Sequence, residues 1–401
     1  MVASTLDGLR AACGEVAEAT AEDTVDGVPA RWVARPASTE EVSAVLRAAA
    51  TLGLRVVARG SGTRLTWGAP PTTLDLIVDT SRMNAVLAHA VGDLVVTVQA
   101  GLRMVHLQSV LALHRQRLAL DGSDTLGGTV GGVIATAASG PLRYRYGSPR
   151  DLVIGITVVL ADGTIARSGG TVVKNVAGYD LAKLYTGSLG TLGVITEVVF
   201  RLHPLPQATR WITVHTADVA GATAAIAAVR ASQHDPVALE VNRDQPGGVV
   251  SVGVAVEGVS AGIDARAEAV ADLLGAQAAV TEQPPDWWGT PPPSPYATVT
   301  CEPTGLADLL ATAPGTLRGS AGAGVLAAGL DTGDGLGAEL ARLRTIVTRH
   351  GGNAVLRCAP PHRKAGLDVW GPVPALGLMR RLKDQFDPEH RLAPGRFVGG
   401  I

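Results

Sequence analysis

Several glycine-rich segments in the first half of the chain lie next to predicted strands and could surround an anionic ligand. The earliest is Arg59-Gly60-Ser61-Gly62-Thr63, which directly follows a strand predicted over Arg55–Ala58. Glycine permits positive φ angles and close approach of the backbone, and consecutive N–H groups that point one way form an anion site. The Ser61 and Thr63 hydroxyls can add hydrogen bonds. The segment therefore predicts a diphosphate site, although taken alone it also fits a pair of tight turns without a ligand.

This loop differs from the two most familiar nucleotide-binding motifs. A GxGxxG motif would need glycine at position 65, where the chain has Leu65, and no P-loop Gly-Lys-Ser/Thr occurs anywhere. Ordering glycine loses more conformational entropy than ordering other residues, so several ligand-free turns of this density are unfavourable. A long, extended cofactor held between the loops explains all of the glycine-rich segments together, at residues 59–68, 127–140, 174–180 and 187–195.

The composition indicates a packed protein with a small-molecule ligand. The chain has 401 residues, of which 46% are hydrophobic and 17% charged, with a mean hydropathy of +0.24 and a formal net charge of −2. These values exclude the polar, highly charged pattern of disordered chains. They also provide no bulk positive field, so neither nucleic acid nor an anionic membrane is an expected partner.

Cysteine usage and hydropathy predict a cytoplasmic protein without a membrane span. Cys13, Cys301 and Cys358 are far apart and form no CxxC, which argues against an iron–sulfur cluster, a zinc site or a disulfide scaffold within the chain. The longest apolar stretch, Leu152–Ala161, is about half the length that spans a bilayer. The N-terminus lacks the basic and apolar regions of a signal peptide.

Hydrophobic periodicity predicts helices and strands between the glycine-rich loops. Pro36–Leu52 is predicted as a helix, because Ser38 offers an N-cap and apolar residues recur at helical spacing from Val42 onward. The Asp162-Gly163 pair is a hairpin signal. The other elements predicted here are strands at Leu74–Asp79, Leu94–Gln99, Val153–Leu160 and Val198–Leu202, and a helix at Val105–Leu113.

The pattern changes after Pro204-Leu205-Pro206 to an alternation of strands and helices, interrupted by a proline-rich segment at Pro284–Pro295. This order resembles one or two βαββαβ units, in which helices cover one face of an antiparallel sheet. The predicted strands are 211–215, 237–241, 249–256, 296–301, 322–329 and 353–358, and the predicted helices are 217–231, 261–274, 305–313 and 335–350.

The first half also carries motifs of a known family. It resembles the PCMH-type FAD-binding domain of the vanillyl-alcohol-oxidase-like flavoproteins, and within that superfamily the FAD-binding subunit of glycolate oxidase. The matching stretches are Arg-Gly-Ser-Gly-Thr at 59–63, Thr-Val-Gly-Gly at 129–132, Ser-Gly-Pro at 139–141, Ser-Pro-Arg-Asp-Leu-Val-Ile-Gly at 148–155, Lys-Asn-Val-Ala-Gly-Tyr-Asp-Leu at 174–181 and Gly-Ser-Leu-Gly-Thr-Leu-Gly-Val-Ile-Thr-Glu at 187–197.

The resemblance implies an α+β protein with a two-subdomain FAD-binding domain over residues 1–208. A ferredoxin-like cap domain would follow over 209–383, and a C-terminal segment, 384–401, would return to the FAD domain. It also implies noncovalent FAD, because members with covalent flavin carry histidine where this chain has Thr63. The implied cofactor-binding residues are Arg59, Gly60, Ser61, Gly62, Thr63, Asp124, Gly128, Thr129, Gly131, Gly132, Ser139, Gly140, Gly193, Val194 and Ile195.

The second half departs from single-chain relatives that oxidise 2-hydroxy acids. Their cap domains carry a Gly-His-x-Gly-Asp-Gly-Asn-type motif, which is absent here, and the cap histidines are scattered singly at His215, His234, His350 and His362. A metal site is therefore not expected. The tail reads Leu392-Ala393-Pro394-Gly395 where the family usually has Leu-Asn-Pro-Gly, so any contact from that asparagine is lost.

FAD would perform the hydride chemistry, and the protein would position the substrate and remove a hydroxyl proton. Arg143, Arg145 and Tyr146 lie close to Ser139-Gly140, and the two arginines are candidate anchors for an anionic substrate. Lys174 and Tyr179 lie in a loop that could approach the flavin ring, and His362 is a candidate base. For each of these residues a surface or packing role is the alternative.

Two function hypotheses follow. One is a flavin dehydrogenase that oxidises a small 2-hydroxy acid, such as glycolate or lactate, and passes electrons to a partner. The other is a non-catalytic FAD-bearing subunit that stabilises, or relays electrons in, a complex with a catalytic flavoprotein and an iron–sulfur protein. Because this chain has no CxxC pattern for a cluster, both versions need an external electron acceptor.

Overall fold

The computed structural model describes residues 2–171, 180–331, 333 and 335–401. The candidate residues Lys174 and Tyr179 lie outside these residues. The first subdomain has a sheet with the strand order β1-β4-β6-β5, in which β4, β6 and β5 run parallel and β1 is antiparallel. Its elements are α1 (Val2–Ala12), β1 (Val16–Glu18), β2 (Thr24–Val25), β3 (Val28–Pro29), β4 (Trp32–Ala34), α2 (Thr39–Thr51), β5 (Val56–Arg59) and β6 (Leu76–Asp79).

Helix α2 begins three residues later than predicted. The Ser38 hydroxyl accepts a hydrogen bond from the Glu41 N–H at 3.1 Å, so Ser38 is the N-cap and Pro36 lies outside the helix. Val42, Val45 and Leu46 lie on the inner face of this helix and are fully buried. Strand β5 ends at Arg59, so the first glycine-rich loop starts at the carboxyl end of this strand.

The second subdomain contains an antiparallel sheet with the order β11-β10-β12-β8-β7. One of its helices, α5, begins inside the Thr129-Val130-Gly131-Gly132 motif and was not predicted. The elements are β7 (Val86–Ala90), β8 (Val95–Gln99), α3 (Met104–Ala112), β9 (Gln116–Arg117), α4 (Ser123–Leu126), α5 (Val130–Thr136), α6 (Arg143–Tyr146), α7 (Pro149–Leu152), β10 (Val153–Val159), β11 (Ile165–Gly169), α8 (Ala182–Tyr185), β12 (Val194–Arg201) and β13 (His203–Pro204).

The cap is one continuous antiparallel sheet with the order β17-β14-β16-β15-β19-β20-β18-β21. Its elements are β14 (Ala208–Thr216), α9 (Val219–Ala231), β15 (Ala238–Arg243), β16 (Val250–Gly258), α10 (Ile263–Leu274), β17 (Ala279–Thr281), β18 (Tyr296–Thr300), α11 (Leu306–Thr312), β19 (Leu317–Ser320), β20 (Val325–Gly329), α12 (Leu336–Thr348) and β21 (Ala354–Cys358). Two helices follow the last strand, α13 (Pro361–Lys364) and α14 (Leu376–Phe386).

Chain order and strand order together identify two ferredoxin-like βαββαβ units within the described part of the cap. The first runs from β14 to β17 and the second from β18 to β21, and they join through β15 and β19. The strand predicted over 322–329 is wrong at its start, because a turn at 321–324 separates β19 from β20. Gly324 has a φ of +66° in that turn, a conformation that favours glycine.

The two faces of the cap sheet have different partners. Leu239 and Val241 on β15 belong to the core that also contains residues of helices α9 to α12. Side chains alternate along a strand, so Ala238 and Glu240 lie on the other face. Ala238 packs in a cluster with Leu142 of the second subdomain, which places this face of the sheet toward the glycine-rich loops.

The C-terminal segment returns to the first subdomain. Val56 of β5 donates its N–H to the Arg391 carbonyl at 2.9 Å and accepts from the Ala393 N–H at 2.7 Å. The fully buried Lys383 ammonium donates to the Asp387 carboxylate at 2.7 Å and to the Leu392 carbonyl at 2.9 Å. A buried ion pair therefore fastens this segment beside β5. Among the described residues, none of the helices has the length and apolar character needed to cross a bilayer.

Replacing Lys383 with methionine is expected to lower the free energy of unfolding by about 3 kcal/mol, because the Asp387 carboxylate would stay buried without its cation. Urea unfolding measures this change. Lys183 pairs with Asp180 on the surface at 3.1 Å, with both side chains about half exposed. Lys183→Met is the control, with an expected change of about 0–1 kcal/mol. Equal small effects of the two substitutions would show that the Lys383 pair does not hold the segment.

Candidate active site

A narrow groove runs between the two subdomains, bounded by the loop after β5 and by α5. Its walls are formed mostly by small residues, so that backbone is close to any ligand in the groove. The lining residues are Val57, Ala58, Gly60, Ser61, Gly62, Thr63, Arg64, Leu65, Thr129, Gly132, Ala135, Thr136, Leu189 and Arg396, and an adjoining hollow is lined by Arg59, Thr80, Ala100, Gly131, Gly190, Gly193 and Ile195.

The loop at 60–63 presents free backbone donors to this groove. Within the part of the chain that the structure describes, the N–H groups of Gly60, Ser61, Gly62 and Thr63 form no hydrogen bond to the protein. A side chain at Gly60 would overlap the Thr129 hydroxyl on the opposite wall. The loop therefore has the unpaired backbone donors that a diphosphate site requires, and its backbone at Gly60 lies close to Thr129 across the groove.

Arg59 has a different role from the amides that follow it. Its Nη1 donates to the Asp23 carboxylate at 2.7 Å, and its Nη2 donates to the Asp79 carboxylate at 2.8 Å. Although burial raises the pKa of Asp23, hydrogen bonds from Thr20 and Arg59 outweigh it and lower that pKa to about 2. The charge of Arg59 is therefore balanced inside the protein, and this side chain braces the start of the loop.

Helix α5 uses part of the glycine motif for packing. Thr129 is its N-cap, and the Gly131 N–H donates to the Ala100 carbonyl at 2.7 Å. A Cβ at Gly131 would lie 2.9 Å from the Ala100 Cβ. Gly131 thus allows α5 to approach the end of β8, and its amide is already used in that contact.

Gly131→Val is expected to yield protein that is depleted of its groove ligand and destabilised by about 1–3 kcal/mol, because an added side chain overpacks the contact with Ala100. Thermal unfolding and absorbance of the purified variant measure the two effects. A variant with unchanged stability and full ligand occupancy would contradict both the packing role and the predicted role in binding.

Arg64 lies in the groove with its charge unbalanced by hydrogen bonds. The residue is 8% exposed, and its Nε and Nη2 atoms are buried without a partner among the described residues. Its guanidinium lies 5.5 Å from the centre of the Trp67 ring. Burial lowers the pKa of Arg64, and the Asp124 carboxylate acts in the opposite direction. Sequence reasoning missed this residue, since nothing in the loop distinguishes it from Arg59.

A second, wider cavity of about 280 Å³ lies where the loop at 137–143 faces the cap sheet. Ser139 lies on its wall, and its hydroxyl is buried without a partner among the described residues. A side chain at Gly140 would collide with the Asp121 backbone carbonyl. The cavity residues with polar side chains are Trp67, Asp124, Ser139, Arg143, Glu240, Thr290, Tyr296, Thr298, Thr300, Arg318, Ser320 and Arg357.

Two of the cavity arginines have free donors. Within the described residues, the Arg143 guanidinium has no hydrogen-bond partner, and Arg357 uses only its Nε, which donates to Thr298 Oγ1 at 3.1 Å. Burial lowers the pKa of both side chains, and for Arg357 the positive charge of Arg143 lowers it further. By contrast, Arg318 donates to Asn242 Oδ1 at 2.8 Å. Two guanidinium groups that repel each other in one cavity form a site for an anion.

Glu240 supplies a carboxyl group to the same cavity. It is 3% exposed and faces Ser320, its partner in the antiparallel pairing of β15 with β19. Burial raises the pKa of Glu240 well above its usual range, the Asp121 charge raises it further, and a hydrogen bond from Ser320 and the charge of Arg143 oppose these effects. One of its oxygens, Oε1, has no partner among the described residues. A charged residue inside the apolar run 237–241 is the signal that could have identified it.

The candidate residues Arg145 and His362 lie apart from this cavity. Arg145 forms an ion pair with Asp235 on the surface, and His362 is exposed on the short helix α13. Asp124, another predicted binding residue, lines the cavity and accepts a hydrogen bond from the Tyr296 hydroxyl at 3.1 Å. Across the described residues, no group of His, Cys, Asp and Glu side chains is arranged to hold a metal ion.

Comparison with known proteins identifies the cofactor. Residues 30–169 match the protein family described as FAD binding domain. This part of the chain is similar to an FAD-binding domain. The resemblance predicted from the glycine motifs is thereby confirmed, and FAD is the cofactor. The free amides of the loop, the buried unpaired donors of Arg64 and Ser139, and the close approach at Gly60 all fit this cofactor.

Curated relatives match about half of the chain or less. The chain is 36% identical over 216 residues to glycolate oxidase subunit GlcD of Bacillus subtilis, covering 53% of this chain and 45% of that protein. It is 39% identical over 175 residues to D-lactate dehydrogenase of Archaeoglobus fulgidus, covering 43% and 38% of the two chains. Rat D-2-hydroxyglutarate dehydrogenase is 38% identical over 175 residues, covering 43% and 32%. The chain therefore spans less than half the length of these relatives.

A solved structure extends the likeness to the fold of almost the whole chain. Alkyldihydroxyacetonephosphate synthase superposes with a TM-score of 0.68 at 19% sequence identity, covering 92% of this chain and 77% of the other. At this identity the match concerns the fold alone. It confirms the predicted α+β architecture, in which an FAD-binding domain is followed by a cap.

Proposed function

We propose that the chain is an FAD-dependent oxidoreductase that oxidises a small 2-hydroxy acid in the cavity between the FAD-binding domain and the cap. The observation that carries the proposal is the placement of Arg143, Arg357 and Glu240 around one cavity beside Ser139. Such a cavity offers positive charge for a carboxylate and a carboxyl group for a proton. The names of the relatives, which include glycolate oxidase, D-lactate dehydrogenase and D-2-hydroxyglutarate dehydrogenase, support this substrate class.

Substrate binding depends on the two free guanidinium groups. Arg143 and Arg357 bind the substrate carboxylate through charge-assisted hydrogen bonds, which relieves the repulsion between them. Arg357 is oriented by Thr298 and by the Trp67 ring, whose centre is 4.7 Å from its guanidinium carbon. The tetrahedral carbon of the substrate, bonded to this carboxylate, is thereby fixed between the cap sheet and the loop at 139–140.

Removal of the hydroxyl proton is assigned to Glu240. In its ionised form this carboxylate accepts the proton through Oε1, which has no partner among the described residues. Its raised pKa increases its basicity, and the buried setting excludes competing water. FAD, when held noncovalently by the 60–63 loop, Thr129 and Ser139, would supply two-electron, hydride-accepting chemistry.

Anaerobic mixing of the purified, FAD-loaded chain with glycolate or D-lactate tests this proposal. We expect the visible absorbance of the flavin to bleach with the chain alone, and to recover when an artificial electron acceptor is added. Persistence of the oxidised spectrum with every small 2-hydroxy acid would contradict the proposal. Bleaching only in the presence of a co-purifying protein would support the second candidate below.

The second candidate is a non-catalytic FAD-bearing subunit that stabilises, or relays electrons in, a complex with a catalytic flavoprotein and an iron–sulfur protein. It is favoured by the dispersed cap histidines: His215 contacts Ser251, His350 contacts Asp308, and His362 is exposed. The name of the Bacillus subtilis relative describes that protein as a subunit.

All three cysteines are free thiols, which agrees with the proposed cytoplasmic location.

A further inference from the structure

We propose that the side chain of Arg64 binds the diphosphate of FAD and supplies the positive charge of this site. Arg64 directly follows the 60–63 loop and lines the same groove as the free amides of that loop. Its guanidinium also reaches the opposite wall, where a Cβ at Gly128 would overlap Nη1. The side chain therefore extends across the groove, from the 60–63 loop to the wall at Gly128.

The state of its hydrogen-bond donors points to an anionic ligand. A buried arginine normally pairs with a carboxylate or carbonyl groups, because burial of an unpaired charge is strongly unfavourable. Nε and Nη2 of Arg64 have no such partner among the described residues, and the residue is more than nine-tenths buried. The positive charge of the Arg64 guanidinium is therefore buried without a carboxylate or carbonyl partner at Nε and Nη2 among the described residues.

Two carboxylates near the loop are engaged elsewhere. Asp79 and Asp23 both bind Arg59, so the loop contains one neutralised and one unbalanced arginine. Asp124 acts on Arg64 electrostatically, but its Oδ2 accepts the Tyr296 hydroxyl at 3.1 Å, and it forms no ion pair with Arg64 within 4 Å. A diphosphate on the loop amides would bring two negative charges to the donors that these carboxylates do not satisfy.

The test compares Arg64→Met with Arg64→Lys in the full chain stripped of flavin, using titration with FAD and with riboflavin. Riboflavin has the flavin ring but lacks the diphosphate. We expect Arg64→Met to weaken FAD binding by about 10- to 100-fold, the usual size for a lost hydrogen bond to a charged group, and to leave riboflavin binding unchanged. Arg64→Lys should restore part of the FAD affinity, because it keeps the charge.

Thermal unfolding of the flavin-free protein is a second test, in which we expect the substitution to stabilise the fold. In the flavin-free protein, Arg64→Met should raise the melting temperature, because it removes a buried charge that has no ion-pair partner and so leaves no carboxylate unpaired. The increase in melting temperature caused by FAD should be smaller in this variant than in the parent chain. Unchanged FAD affinity, equal losses for FAD and riboflavin, or destabilisation of the flavin-free protein would each overturn the assignment.

Discussion

Replacing Glu240 with glutamine is expected to slow anaerobic flavin reduction by a 2-hydroxy acid about 100- to 10,000-fold, the usual contribution of a positioned general base. Glutamine has nearly the same shape but cannot accept the hydroxyl proton. Rapid-mixing absorbance of the FAD-loaded protein measures the rate. FAD content and substrate affinity should change little, because Arg143 and Arg357 are untouched.

The pH dependence distinguishes this role from a structural one. Burial and the charge of Asp121 raise the pKa of Glu240, while Ser320 and Arg143 oppose that shift. Only the ionised carboxylate accepts a proton, so the rate in the parent chain should rise as the pH increases through this pKa and then level off. The glutamine variant should lack that rise.

Controls for Glu240 come from two other acidic residues. Burial raises the pKa of Asp121 to about 7, so Asp121 titrates in the range where a pH effect would be measured. A rise in rate with pH that persists in Glu240→Gln would assign the titration to Asp121 and contradict the role of Glu240. Glu268 is exposed on α10, away from the cavity, and Glu268→Gln should behave as the parent chain.

Gly60→Val is expected to give folded protein almost without FAD. Gly60 does not have a positive φ angle, so backbone strain does not explain its requirement for glycine. The reason is space: any Cβ would overlap the Thr129 hydroxyl across the groove, and the valine methyl groups would fill the path of the diphosphate. The ratio of flavin to protein absorbance after purification measures occupancy.

The control for Gly60 is a glycine with free space around it. A Cβ at Gly262 meets no atom within 4 Å, and Gly262 is the N-cap of α10 in the cap. Gly262→Val should therefore retain full FAD. Far-UV circular dichroism of both variants confirms folding. Full FAD occupancy in a folded Gly60→Val variant would show that the cofactor does not pass between this loop and Thr129.

The elements best anticipated by sequence are those with strong periodicity. Helix α2 and the cap helices α9, α10 and α12 combine apolar faces with clear ends, and the structure places each within three residues of its prediction. Strand β17 was not predicted, because its three residues are all exposed at the edge of the sheet and show no buried alternation. Helix α5 was not predicted because glycines occupy its first turn.

The candidate site divides in the same way. The glycine motifs predicted the cofactor, because glycine occurs where a loop backbone must come close to a ligand. Among the side chains of the cavity, Arg143 was a candidate from its position beside Ser139-Gly140. The roles of Arg59 and Arg64 were not predictable, because they depend on tertiary partners: Arg59 is neutralised by Asp23 and Asp79, whereas Arg64 is not. Glu240 and Arg357 come from strands distant in sequence, and only the folded cap brings them to the loop at 139–140.

The positions of FAD and substrate are tested by a crystal structure of the chain with FAD and oxalate, an unreactive mimic of a 2-hydroxy acid. We expect the diphosphate to contact the amides of the 60–63 loop, and the flavin ring to lie beside Ser139 and Gly140. Oxalate should bind Arg143 and Arg357 within reach of Glu240. A flavin ring outside the cavity between the two domains, or oxalate bound away from both arginines, would contradict this expectation.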